Sequence, residues 1–327
     1  MAALGRRATL GGAIASVATL AATASRAADW PDKPLTWVVP FPAGGPTDVF
    51  ARPVTAQIAG PLGQTIVIDN RGGAGGTIAA LQVARAPADG YTMIVGSTGL
   101  SFAPLVYPKA GFELARDFEP ITALARVQSA LVINPERLDV KTLQEFINVA
   151  RAKPGSIEVA SPGLGTVPHL AIVNFQQRAG VELHHVPYRG GAPALQDLLG
   201  GNVAASFASI STLAAHVKAG KLRVLAIAGR RREPLLPDVP TMDEAGLKDF
   251  RAITWFGLFA PKRTPAAVLD RMHGVVQAAL AKDEVKRVWA EQAAKVELES
   301  RADFSRFVDQ EIVRWGAIAK VANVQLE

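Results

Sequence analysis

A series of short apolar runs, most of them closed by a glycine or proline, sets the tightest limit on what this chain can fold into. The runs are Leu35–Val39, Thr65–Ile68, Tyr91–Val95, Ile121–Ile133, Ile157–Ala160, Leu183–Val186, Val203–Phe207, Val224–Ala228 and Ile253–Phe259. Continuous apolar runs of this length suit strands buried on both faces, as parallel strands are in an α/β protein. Helical patterns fall between them. Thr142-Leu143-Gln144-Glu145 is a capping box, Leu143, Phe146, Ile147 and Ala150 make one apolar face, and Lys153-Pro154-Gly155 stops the segment. The alternation predicts α/β architecture with open, mostly parallel sheets.

Two segments argue for two lobes. Ile121 to Asn134 is long for a strand, and Thr254 to Ala260 is followed by helices instead of another sheet unit. Both are expected to cross between lobes, with residues 28–128 and 254–327 forming lobe one and residues 129–253 lobe two. After the second crossing, Thr264-Pro265 starts a helix whose face is Val268, Met272, Val275, Val276 and Ala279. Phe304, Phe307, Ile312, Trp315 and Ile318 line the last helix.

The loop Pro40-Phe41-Pro42-Ala43-Gly44-Gly45-Pro46 joins the first strand to the first helix. Two glycines let a ligand approach the backbone closely, Pro46 suits a first helical turn, and the free N–H groups with the helix dipole attract an anion. A plain strand-to-helix turn would look the same. Pro53 lies deeper in this helix and predicts a kink or a short first turn, because proline removes an N–H and crowds the carbonyl four residues back.

Residues 1–27 have the form of an export signal: Arg6-Arg7, a small and apolar run from Ala8 to Ala24, and Ser25-Arg26-Ala27 as a cleavage site, so the mature chain is expected to begin near Ala28. The formal charge of +6 includes Arg6, Arg7 and Arg26; without them 32 Lys+Arg face 29 Asp+Glu, a surplus of +3. Nothing in that balance points to nucleic acid. Cys is absent, which excludes disulfides and thiolate chemistry.

Further loops recur in order: Asn70-Arg71-Gly72-Gly73-Ala74-Gly75-Gly76, Ala88-Asp89-Gly90-Tyr91-Thr92, Ser161-Pro162-Gly163-Leu164-Gly165-Thr166-Val167-Pro168-His169, His185-Val186-Pro187-Tyr188-Arg189-Gly190-Gly191, Gly220-Lys221-Leu222-Arg223 and Leu236-Pro237-Asp238-Val239-Pro240-Thr241. In this order and spacing the set resembles the extracytoplasmic solute receptors of the Bug family, the binding proteins of tripartite tricarboxylate transporters, over nearly the whole chain after the leader. The resemblance implies a two-lobed periplasmic binding protein of type II-like fold with its ligand cleft between the lobes. It also implies a small carboxylate ligand, membrane transporter subunits as partners, a monomeric receptor and no cofactor. The loop at Ala43, Gly44 and Gly45 and the loop Gly163–Thr166 would then supply backbone and hydroxyl donors from opposite lobes, with Tyr188 walling the cleft. Where family members often carry Asp after the Phe matching Phe207, this chain has Ala208, which weakens any pairing with a ligand amino group.

Ligands of open α/β sheets bind outside the carboxyl ends of the strands. The expected site therefore gathers Ala43, Gly44, Gly45, Asp48, Ser97, Thr98, Gly163, Gly165, Thr166, His169, Tyr188, Arg189, Gly190, Ala208 and Ser209. His169 suits either donation to a carboxylate or a hydrogen bond to its preceding loop, and Asp48 either capping or ligand contact. Arg71 and Arg189 are the cationic candidates. Catalytic patterns fail: Gly72–Gly76 lacks a nucleotide fingerprint, and Gly96-Ser97-Thr98-Gly99 is one residue short of a nucleophile elbow. His184 and His185 would point to opposite faces of a strand, and His169, His216 and His273 lack partners at metal-ligand spacing, so no metal site is expected. The two rivals to a transport receptor are a sensor-input receptor of the same fold and an exported α/β enzyme.

Overall fold

The computed structural model describes residues 30–296 and 298–326; the expected leader and its cleavage site lie outside the described residues. In order the elements are β1 Leu35–Val39, α1 Pro46–Leu62, β2 Ile66–Asn70, α2 Thr77–Ala84, β3 Thr92–Ser97, α3 Gly99–Val106, α4 Leu114–Asp117 and β4 Phe118–Ile133. There follow α5 Leu143–Ala152, β5 Glu158–Ser161, α6 Val167–Ala179, β6 His184–Pro187, α7 Gly191–Leu199, β7 Ala205–Ser209, α8 Ile210–Lys218 and β8 Arg223–Ile227. The chain ends with β9 Ile253–Pro261, α9 Ala266–Leu280, α10 Asp283–Glu291, β10 Ala294–Lys295 and α11 Arg301–Ala322.

Local signals explain most boundaries. Thr142 accepts from the Glu145 N–H at 3.1 Å and starts α5, whose Leu143, Phe146, Ile147 and Ala150 are buried as the pattern requires. Ser300 caps α11 in the same way through the Asp303 N–H, and Gly180 ends α6 in the left-handed conformation. The helix at Pro46 has no short first turn and runs through Pro53 to Leu62 as one element. Burial of Phe50, Ala51, Val54, Thr55 and Ile58 along one side holds it against the sheet despite the missing hydrogen bond.

The strand order is β2-β1-β3-β9-β4-β7-β5-β6, with β10 and β8 also paired to β4. The outer pairs β1/β2, β1/β3, β5/β6 and β5/β7 are parallel, as expected, whereas the crossing strands β4 and β9 pair antiparallel because one leaves the first half and the other returns. The sheet is therefore mixed. Strand β4 reaches 16 residues because it serves both halves: Phe118 to Gln128 pair with β9, and Ser129 to Ile133 pair with β7 and β8. At the change of partners Ser129 donates to the Ala252 carbonyl at 3.0 Å and accepts from the Ala228 N–H at 2.8 Å, while Ala252 donates to Ala228 at 2.8 Å.

Separate cores flank this point. Trp37, Phe50, Phe256 and Trp289 pack in the first half, and Phe146, Phe175, Phe207 and Phe250 in the second. A smaller cluster joins the halves, where Trp315 and Ile318 of α11 meet Phe102 and Val106 on one side and Val167 and Leu170 on the other. No helix among the described residues is long and apolar enough to cross a membrane.

Candidate functional site

A cavity of about 490 Å³ opens at the crossing strands, walled by Val127 and Ser129 of β4 and Thr254 and Phe256 of β9. Four helices point their first turns into it: Pro46 of α1, Pro168 of α6, Gly191 and Ala192 of α7, and Ser211 and Thr212 of α8. The first N–H groups of a helix have no intrahelical partner, and each helix start carries roughly half a positive charge. At α1, α7 and α8 no side chain caps these groups. Among the described residues none that lines the cavity is charged. The arrangement offers an anion backbone donors and the hydroxyls of Ser129, Ser209, Ser211 and Thr254, with apolar walls such as Phe50 and Leu195 for the rest of a ligand.

The loop before α1 is ordered by an acid. Asp48 accepts from the Gly44 N–H at 2.9 Å and from Arg52 at 2.7 Å, while Asn70 bridges Asp48 and the Phe41 carbonyl at 3.1 Å each. Burial pushes the Asp48 carboxyl up, but Arg52, Gly44 and Asn70 outweigh it and hold it below its ordinary value. Asp48, expected among the ligand-binding residues, thus points into its own loop. The positive backbone angle falls on Gly44 at +79°, not on Gly45, which is extended. At Gly45 the requirement is space: a Cβ there would lie 3.1 Å from the Pro42 carbonyl.

A hydroxyl and an imidazole order the loop before α6. Thr166 donates to the Gly163 carbonyl at 2.7 Å and accepts from the His169 N–H at 3.4 Å; His169 Nδ1 accepts from the Gly165 N–H at 3.2 Å. Of its two expected roles, His169 therefore takes the one of holding its loop. Its ring stacks on His185 at 4.3 Å, and His185 Nε2 meets the Ser161 hydroxyl at 2.6 Å. Burial, then the neighbouring His169 and His184, lowers His185 to about 4, and burial lowers His169. Both rings are neutral at pH 7.

Of the expected residues, Ala208 and Ser209 line the cavity. Gly45, Gly163, His169 and Gly190 are each next in sequence to a lining residue: Pro46, Pro162, Pro168 and Gly191. Ser97 and Thr98 are not in the lining, although Ser97 pairs with Phe256 of the cavity wall. Both are buried, and Thr98 ties β3 to β9 by accepting from the Trp255 N–H at 2.8 Å. Tyr188 donates to Asp197 at 2.7 Å, and burial with that carboxylate pushes its hydroxyl up to about 12; it is absent from the cavity lining. Arg189 is exposed, and Arg71 is held by Asp69 and Gln82. Sequence reasoning missed Ser211 and Thr212, although hydroxyls opening a helix directly after Ser209 are the same signal used elsewhere. It also missed Phe50, Ser129, Phe256 and Gln292, for which no local signal exists. Among the described residues no group of three or more His, Cys, Asp or Glu is placed to hold a metal ion.

Comparison with known proteins agrees with this picture. The family model described as "Tripartite tricarboxylate transporter family receptor" matches residues 50–324. BugT of Bordetella pertussis is 35% identical over 317 residues, covering 95% of this chain and 96% of its own. A structure of an R. palustris protein with adipate superposes with a TM-score of 0.78 at 37% identity, covering 91% of this chain and 100% of that one. MatC from Rhodopseudomonas palustris with bound malate gives a TM-score of 0.75 at 35% identity, covering 89% and 100%. The fold is that of periplasmic solute-binding proteins, and the chain belongs to the tripartite tricarboxylate transporter receptor family, whose members are receptors and not enzymes.

Proposed function

We propose that this chain is a periplasmic receptor that captures a small organic carboxylate in the cavity at the crossing strands and delivers it to a tripartite tricarboxylate-type transporter. The observation that carries the reading is the meeting of four helix starts on a cavity without a charged side chain. Such a cavity neutralises a carboxylate through backbone dipoles and offers an ammonium group no acidic partner. The adipate and malate bound by structural relatives support the ligand class. Residues 28–128 with 254–327 and residues 129–253 act as the two lobes, and the exchange of partners at Ser129, Ala228 and Ala252 is where they would hinge. The receptor works as a monomer, needs no cofactor, and reaches the periplasm by its leader.

Thermal melting against a panel of mono-, di- and tricarboxylates with matched amino acids tests this reading. A true ligand at 100 times its dissociation constant should stabilise by about 2.7 kcal/mol. If no carboxylate raised the melting temperature, or an amino acid did so best, the reading would fail.

A further inference from the structure

A second concavity, of about 360 Å³, lies on the other face of the same crossing strands. Side chains alternate along a strand, so Val127 and Ser129 face the carboxylate cavity while Arg126 and Gln128 face this one. Its wall carries seven cationic side chains against three carboxylates. Each carboxylate is already matched, Glu299 with Arg126 at 2.9 Å, Glu311 with Arg314 at 2.7 Å, and Asp303 with Arg306. Arg251 pairs with Asp243, and Lys295 lies 4.0 Å from Glu233. Arg230 and Arg231 are left, both exposed and, among the described residues, neither engaged in a side-chain hydrogen bond or ion pair.

This arginine pair does not ride on a loose loop. Gly229, just before it, lies so close to Gln128 that a Cβ there would come within 1.5 Å of Gln128 Oε1, and Gln128 in turn donates to Glu233 at 2.7 Å, just after it. The pair is therefore fastened on both sides to β4. Across the pocket, burial lowers the Arg314 guanidinium below its ordinary value, with Glu311 opposing and Arg251 adding to the shift. The excess of cationic over acidic side chains on this wall favours an arriving anion.

We propose that this concavity is a second binding site, taking a small phosphate-type oxyanion with two or more negative charges between Arg230 and Arg231 on one side and Arg306 of α11 on the other. Guanidinium forks match phosphate oxygens in pairs, and the volume suits a small molecule, not a protein segment. Because Arg230 and Arg231 follow β8 whereas Arg306 belongs to α11, one anion touches both halves of the chain.

Calorimetry of the mature chain with pyrophosphate in low-salt buffer, with sodium chloride at matched ionic strength as the control, tests the proposal independently of the carboxylate reading. Saturable one-site binding is expected, weakened at least tenfold in R230E/R231E and less in R230Q/R231Q. A charge reversal elsewhere, R137E, should leave it unchanged, and melting curves without anion should show all variants folded. Absence of saturable binding, equal affinity in R230E/R231E, or equal weakening by R137E would overturn the site, the last outcome marking general charge attraction.

Discussion

The two glycine loops do the same work with different chemistry. Before α1, a carboxylate with an arginine and an asparagine gathers the loop around Gly44; before α6, a threonine hydroxyl and a neutral imidazole gather the loop around Gly165. The first device is charged and places a negative group close to where an anion would sit, so its value depends on Arg52 staying paired. The second is uncharged at pH 7 and leaves the helix dipole unopposed. A helix start can be prepared for an anion either way, but only the first should respond to the protonation of an acid.

Carboxylate affinity offers the sharpest way to break the comparison. Gly45→Val would press a branched side chain against the Pro42 carbonyl and into the approach to α1. Losing two charge-assisted N–H bonds at ~1.5–3 kcal/mol each corresponds to a loss of about 100-fold or more. The unliganded melting temperature should fall little, because the neighbour needs to give by only a few tenths of an ångström. Calorimetry beside melting curves decides, and unchanged affinity would reduce the first loop to a structural turn.

Asp48→Asn should act on stability more than on binding. An amide cannot accept from Gly44, Arg52 and Asn70 together, so we expect a loss of about 1–3 kcal/mol at pH 7. Arg52 is 53% exposed, which keeps the ion pair's own share small. The Asp48 pKa is depressed in the fold, so its contribution is present above the ordinary carboxylate pKa and is lost as pH falls through the lowered value. Melting from neutral pH to about pH 3 should therefore cost the wild type more than Asp48→Asn. Parallel pH profiles would show that the loop does not depend on this charge.

The smallest effect should come from Thr166→Val, which keeps the shape and removes the hydroxyl that caps α6 and holds Gly163. Loss of such a cap is worth about 1 kcal/mol, with a drop in carboxylate affinity of about tenfold or less. A larger affinity loss here than in Gly45→Val, in the same calorimetric series, would make the second loop the principal anchor.

Much of the fold was legible because its determinants are local. Apolar runs bounded by glycine and proline marked strands β1 to β9, and Thr142 marked the start of α5 from a few neighbouring residues. The two glycine loops were readable for the same reason. Even so, Asp48, Ser97 and Thr98 look polar and available in the sequence, and only tertiary packing brings Asn70 to Asp48 and Trp255 to Thr98.

The loops before α1, α6, α7 and α8 were gathered into one expected site, but the wall they share, Val127, Ser129, Thr254 and Phe256, forms only where β4 changes partners at Ser129. The stacking of His169 on His185, the arrival of Gln292 from beyond α10, and the basic concavity behind the strands depend equally on the assembled fold. The sequence by itself determined the order and kind of the elements, because helix and strand periodicity, caps and turns act over a few residues. Tertiary structure alone decided which side chains meet, because those contacts join positions far apart in the chain, and a strand sends successive residues to opposite faces.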